Sequence, residues 1–501
     1  MVDPPVARLD SRPFAVESHG LDVISEQERK GSARSLFWPW FGANVGLLGL
    51  SYGSFALGFG ISFWQALIAG TLGIICSFLL CGFIAVGGKR GSAPTMVLSR
   101  AAYGVRGNRM PAVISWILDV GWETVLMALA TMATATVFSR LGWGGGTSTE
   151  VIALIVVGAL TVAGGVLGFD MIMRLQTIIT IVTGVLTIVY MLLVLGHIHW
   201  HTVTAIPSGS TQQFIGALVF MMTGFGLGWV NAAADYSRYL PRKTSNRAIV
   251  GWTTSGASLA PLLLLLFGLL LAGSSTTLNK AIASDPIGAL TTILPTWFLI
   301  PFALVAVLGM VGGAVLDIYS SGLSLLAAGV RIPRYAAAGI DGILMTAGAI
   351  YIVFFSTSFI GQFEGFLTTL GVPISAWCGI ILADLALRRH GYDPHDLFHP
   401  KGRYGDIRTL PLATTLAATV LGWGLVTNST AGWLNWQGYL LDPLGLGGKN
   451  GSWAYANLGV LAALALGFLV TLALTRSQIR QQEKQPASTP TAAQDEAVLP
   501  A

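Results

Sequence analysis

Apolar runs of about 20 residues, each long enough to cross a hydrocarbon core as a helix, recur along this chain between short polar stretches. The pattern predicts twelve spans, at 37–61, 64–87, 112–138, 151–168, 175–196, 214–234, 249–272, 297–326, 337–355, 361–387, 411–427 and 455–475. The fold class is therefore all-α, a polytopic membrane protein. Residues 1–35 form a polar N-terminal tail and 36–475 the membrane domain. Residues 476–501, rich in Gln, Pro, Ala and Thr, read as a disordered tail.

Two spans break the pattern. In the sixth, Gly224, Gly226 and Gly228 alternate near the middle of an apolar run, with Phe225, Trp229 and Asn231 around them. Glycine costs helix stability and frees the backbone to bend. Irregular backbone at membrane depth is tolerated only against protein or a wet cavity, so this stretch predicts a binding site. The first span carries Gly42, Asn44, Gly46, Gly49, Ser51 and Gly53 at its centre. Two interrupted helices five spans apart are the sequence mark of a transporter built from inverted repeats. The competing reading is close helix packing through small residues.

Charge fixes an orientation. With the N-terminus in the cytoplasm and each span crossing once, 25 of the 28 Lys and Arg fall on the cytoplasmic side; only Arg140, Lys280 and Lys449 do not. So one-sided a split follows the positive-inside rule and places both termini inside, in the plasma (inner) membrane. Composition agrees: 53% of residues are hydrophobic and 10% charged, against about 25% charged in soluble domains. The basic residues lie in short loops and form no clustered face for nucleic acid. Cys76, Cys81 and Cys378 all sit inside spans and read as small core residues, not disulfide partners. The polar start carries no cleavable signal pattern. No zinc-protease, phosphate-loop or nucleophile-elbow motif appears, so no catalytic or resident metal site is expected.

Several stretches resemble one family. After the second span come Gly88, Gly91, Pro94 and Met96, then Ser99-Arg100, Tyr103-Gly104 and Gly107-Asn108. Gly121-Trp122 lies in the third span, Ala234-Asp235-Tyr236-Ser237-Arg238 through Pro241 follows the sixth, and Tyr319-Ser320-Ser321-Gly322 lies in the eighth. Ala376-Trp377, Asp384, Arg388-Arg389, Tyr392-Asp393 and Asp396-Leu397 complete the series. In order and spacing this resembles the nucleobase:cation symporter-1 family, purine–cytosine permease subgroup. The resemblance implies a five-plus-five inverted repeat of the leucine-transporter type with helices 1 and 6 broken, alternating access, and a planar heterocyclic substrate.

A nucleobase needs an aromatic face to stack on and side chains that read its edge. In the third span Asp119, Trp122 and Glu123 share a helical face at i, i+3 and i+4, and Gly121 leaves room beside the indole. By the resemblance Trp122 stacks on the ring and Asp119 reads an edge, where some relatives carry Gln. Phe225 or Trp229 can give the opposite face; spacing does not choose between them. Asn231 and Asn44 are further candidate contacts. Asp235 and Arg238, at i and i+3, read as a structural or gating ion pair, and Gln362 and Glu364 as part of a gating segment. His197, His199 and His201 alternate after the fifth span, as a solvated loop or a weak metal site.

The eighth span bears on the coupling cation. By the resemblance, sodium-coupled relatives place hydroxyl side chains a turn or more before the polar position held here by Asp317; the matching residues are Val311 and Gly312, which have no side-chain oxygen. An ionisable group at membrane depth is costly and usually functional. Asp317 and Glu123 are therefore the expected proton carriers, and H+ is favoured over Na+, with no other cofactor. The expected function is secondary active import of cytosine or a purine. The alternatives are sodium-coupled transport of hydantoin, allantoin, uracil or a nucleoside- or vitamin-like compound, and, more remotely, a membrane-embedded enzyme or receptor. The partners are that small molecule and the lipid bilayer, and nucleic acid is not among them.

Overall fold

The computed structural model describes residues 20–166, 169–356, 359–428 and 431–486, and all regular structure among them is helical. The main helices are α1 (Phe37–Asn44), α2 (Leu48–Gly58), α3 (Phe63–Gly91), α4 (Arg109–Arg140), α5 (Thr147–Gly165), α6 (Phe169–Val194), α7 (Thr211–Gly224) and α8 (Asn246–Ser274). They continue with α9 (Thr276–Ser284), α10 (Leu299–Ala327), α11 (Arg334–Phe354), α12 (Phe359–Leu387), α13 (Thr409–Trp423), α14 (Gly459–Leu474) and α15 (Arg476–Lys484). Among the described residues nine segments are long and apolar enough to cross a membrane unaided. The twelve-span expectation adds 37–61, which divides into α1 and α2, and 411–427 and 455–475, which hold α13 and α14. The 15 residues of α13 reach about 22 Å at 1.5 Å per residue, short of a roughly 30 Å core. The last two residues of expected span 151–168 lie outside the described residues.

Local chemistry sets the starts. Ser62 Oγ accepts from Gln65 N while Gln65 Oε1 accepts from Ser62 N, and Ser210 and Gln213 repeat the arrangement at the start of α7. Packing then pairs spans five apart: α3 lies on α8, α4 on α10 and α5 on α11. α8 runs along both halves of the first span. It faces the Phe37 carbonyl at Gly256 and the Leu50 carbonyl at Gly268, where a Cβ would come within 2.6 and 1.9 Å. Pro261 sits between those glycines, inside the helix.

Two expectations about the tails are corrected. Residues 20–35 pack on the domain: Ile24 N donates to Ser92 O, and Arg29 donates to the carbonyls of Lys89 and Leu240. Residues 476–484 form α15 instead of a disordered tail, because its polar side chains find partners. Gln482 Oε1 accepts from Arg388, and Glu483 Oε1 caps the N–H groups of Arg389 and His390. Burial works against the Glu483 charge, but those N–H donors hold its carboxyl below the ordinary value. Residues 1–19 and 487–501 lie outside the described residues.

Candidate functional site

Both interruptions are real departures from α-helix. α1 ends at Asn44, whose Nδ2 donates to Trp40 O at 2.9 Å, and Val45 leaves the helix at ψ 90. α7 ends at Gly224, and the chain continues through 3-10 turns at Gly226–Gly228 and Val230–Ala232 and further turns to Tyr239. None of the three glycines takes a left-handed φ. They serve close approach instead. A Cβ would stand 2.7 Å from the Tyr52 ring at Gly224, 2.2 Å from the Ser77 backbone at Gly226 and 2.8 Å from Trp122 Nε1 at Gly228.

A cavity opens between the two breaks. It has about 70 Å³ of space for the centres of water molecules, against roughly 10–15 Å³ for one water. Its wall includes Asn44, Tyr52, Trp122, Phe225, Trp229 and Asp317. Trp122 is fixed by edge-to-face contacts with Phe363 (5.6 Å) and Phe366 (5.7 Å). The space at Gly121 is filled by the Phe366 ring, 2.1 Å from where a Cβ would be, so Gly121 admits a brace for the indole. Trp122 Nε1 is buried and has no hydrogen-bond partner among the described residues. Phe225 tilts against Tyr52 at 4.4 Å, and Trp229 meets Trp40 edge-on at 5.9 Å. Phe225 and Trp229 both reach the wall.

Other candidates stand behind that wall. Asn231 Nδ2 donates to Asp119 Oδ1 (2.7 Å) and to Ser115 Oγ (2.8 Å), joining the sixth span to the third. Asp119 and Asn231 do not line the cavity. Glu123 is fully buried beside Ser321, and neither carboxyl oxygen has a hydrogen bond of normal geometry. Asp235 and Arg238 lie within electrostatic reach of each other, and each is also held by other partners. Asp235 Oδ1 accepts from Thr95 N and Oγ1, both at 2.8 Å, while Arg238 donates to Tyr319 and Tyr239. Gln362 and Glu364 lie in the first turns of α12, half-buried and off the cavity wall. Between them Phe363 joins Tyr52, Phe55 and Phe220 in an aromatic cluster. Tyr52 on the cavity wall and Phe363, which braces Trp122 from behind it, are aromatic residues that the sequence reading passed over. The signal was available: a Tyr within the interrupted first span, and Phe359 and Phe363 at i, i+4.

At the eighth span the Gly312 carbonyl accepts from Gln176 Nε2 at 2.5 Å. His197, His199 and His201 are exposed, and no group of three or more metal-ligating side chains occurs among the described residues.

The sequence signature of permeases for cytosine/purines, uracil, thiamine and allantoin matches residues 23–433. The chain is 26% identical over 416 residues to the putative purine-cytosine permease YxlA of Bacillus subtilis, covering 80% of this chain and 86% of that protein. It is 28% identical over 244 residues to the purine-cytosine permease FCY2 of Saccharomyces cerevisiae, 46% of this chain and 44% of the relative. In fold it is similar to the nucleobase-cation-symport-1 transporter Mhp1 in a closed conformation with bromovinylhydantoin bound. That match has a TM-score of 0.69 and 16% identity, and covers 97% of this chain and 100% of that one. Inward-facing Mhp1 gives 0.64. With the signature matching most of its length, the chain belongs to the nucleobase:cation symporter-1 family of permeases.

Proposed function

We propose that this chain is a secondary active importer of a nucleobase, cytosine or a purine, driven by protons through alternating access. In this reading it has twelve spans, a five-plus-five inverted repeat and both termini in the cytoplasm of a cell whose plasma membrane it crosses. The observation that carries it is the cavity between the two helix breaks, where the Trp122, Phe225 and Trp229 rings and the Asp317 carboxyl converge. A flat heterocycle stacks on the aromatic faces, and Asp317 or the free Trp122 Nε1 reads its edge. Asp119 and Asn231 act from behind the wall by holding the third and sixth spans in register.

Two features support protons over sodium. Val311 and Gly312 bring no side-chain oxygen, and the Gly312 carbonyl is engaged by the Gln176 amide, a neutral donor. Among the described residues no Lys or Arg side chain pairs with Asp317 or Glu123, and a proton neutralises a buried carboxyl that has no such partner. A protonated carboxyl also becomes a donor, so substrate and proton favour each other's binding.

The test is uptake into proteoliposomes with a competition panel of cytosine, adenine, guanine, hypoxanthine, uracil, allantoin and hydantoins. Uptake should rise with an inward proton gradient, collapse with a protonophore and ignore replacement of Na+ by choline. Strict Na+ dependence at a constant proton gradient overturns the coupling. Trp122→Ala should weaken binding by about 1–3 kcal/mol, roughly ten- to hundredfold, and Trp122→Phe should keep part of it. Unchanged affinity in a folded Trp122→Ala protein would place the stacking face elsewhere.

A further inference from the structure

Where α4, α10 and α11 meet, behind the cavity wall, lies a carboxyl that the transport reading leaves unused. Asp341 of α11 is fully buried. Its Oδ1 accepts from Trp116 Nε1 of α4 at 2.6 Å, and its Oδ2 accepts from Ser321 Oγ of α10 at 2.7 Å. Ser321 follows the cavity-lining Asp317 by four residues, on the same helical face, and it also faces Glu123. Asp317 in turn feels the charge of Glu123, so the order leading away from the cavity is Asp317, Glu123, Ser321, Asp341.

The hydrogen bonds give this series a direction. An ionised carboxyl only accepts, and a protonated one also donates. Asp341 is served by a donor on each oxygen, which suits the ionised form. Glu123 has no donor of normal geometry on either oxygen, which suits the protonated form. A proton on Glu123 and a place for it on Asp341 are separated by one hydroxyl group.

Among the described residues no Lys or Arg makes an ion pair with Asp341. From α4 come Trp116 and, farther off, Glu123 and Asp119, both of which feel its charge. From α10 comes Ser321. Packed α5 has Glu150, in its first turn, as its one acid or base. Arg334, seven residues earlier in α11, donates to Gly165 O and lies over the Tyr319 ring at 4.3 Å.

We propose that Asp341 is a proton-binding site of this transporter, which receives the coupling proton from Glu123 through the Ser321 hydroxyl. In the transfer Ser321 gives its own proton to Asp341 Oδ2 as its Oγ takes the one from Glu123. Glu123 ends ionised, Asp341 neutral and Ser321 unchanged. Glu123 then reloads from Asp317 at the cavity, and Asp341 discharges toward the Arg334 end of α11. This inference rests on the proton-coupled reading above.

The competing role for Asp341 is a structural pin between three helices. Four proteins reconstituted in liposomes separate the two: wild type, Asp341→Asn, Trp116→Phe and Ser321→Ala. Each is assayed with radiolabelled cytosine and with radiolabelled hypoxanthine, for accumulation driven by a proton gradient and for counterflow without one. Asp341→Asn keeps the shape of the side chain but cannot carry a proton, so it should lose accumulation and retain counterflow. Trp116→Phe removes one pinning bond and no proton carrier, so it should retain both. Ser321→Ala removes the bridge and should also lose accumulation, which gives a second test if Asp341→Asn fails to fold. Wild-type accumulation by Asp341→Asn or Ser321→Ala overturns the inference, as does a Trp116→Phe protein that loses accumulation while keeping counterflow. A wild-type protein driven by Na+ and indifferent to protons overturns the coupling reading itself, and this inference with it.

Discussion

The two helix breaks lie on the same cavity and differ in how much outside help their backbone receives. The first spans three residues, Val45 to Leu47, and its backbone bonds are local: Val45 N donates to Phe41 O, Gly49 N to Gly46 O and Leu50 N to Leu47 O. The sixth runs from Phe225 to Leu240; it has local bonds too, such as Gly228 N to Phe225 O and Trp229 N to Gly226 O, but side chains from outside complete it. Ser77 Oγ accepts from Gly226 N, the Cys81 thiol donates to Gly226 O, and Tyr52 OH donates to Gly224 O. Farther along, Thr95 Oγ1 accepts from Ala234 N and Ser237 Oγ donates to Ala85 O. Backbone groups in a membrane must be satisfied within the protein. A short break does this for itself, whereas a long one must be built together with its neighbour, here α3.

The largest expected effect is at Gly226. An added Cβ would stand 2.2 Å from Ser77 C and 2.4 Å from Phe78 N, and backbone cannot yield as a side chain does. Gly226→Ala should destabilise by more than about 4 kcal/mol, the exceptional class of single substitutions, and give little monodisperse protein after extraction. Gly46→Ala in the first break meets only Met310 Cε, at 3.7 Å, and should change stability by less than about 1 kcal/mol. Equal melting of the two variants would erase the contrast. Ser77→Ala comes next: it leaves the Gly226 N–H buried and unpaired, at a cost of about 1–3 kcal/mol, read as a lower melting temperature. Tyr52→Phe removes one neutral hydrogen bond and keeps the ring, for about 1 kcal/mol. The smallest effect is Cys81→Ala, below about 1 kcal/mol because a thiol is a weak donor. A Cys81 variant that melts below Ser77→Ala would invert the order.

Hydropathy is a property of consecutive residues, so the nine long apolar spans among the described residues were legible in the sequence, and the sixth break announced itself through alternating glycines. What those glycines do was not legible. They make room for Tyr52, Ser77 and Trp122, residues far away in the chain. Asp119 and Asn231 were both picked out, but their mutual hydrogen bond, across 112 positions, needs the tertiary structure. Attention to the polar Gln362 and Glu364 hid Phe363 between them, which packs on Trp122. Asp341 carried a warning that the sequence reading missed, since a carboxyl within the ninth apolar run is costly without a role. Residues 476–484 looked like a tail because polar composition does not reveal a partner, and theirs are the Arg388 guanidinium and the backbone N–H groups of Arg389 and His390 after α12.

α8 is a splint laid along the broken first span. With Phe37 against Gly256 on one half and Leu50 against Gly268 on the other, at backbone contact, neither half can swing without carrying part of α8 with it. The splint has its own joint: Pro261 lies between the two contacts, and a proline inside a helix removes a backbone bond and loosens the turn before it. Bending of the first span is thereby handed to a single point on its neighbour, so the two helices share one lever arm on each side of the cavity. Spin labels on α2 and on the Gly268 end of α8 should keep a constant separation through the transport cycle, while labels on the two ends of α8 should not.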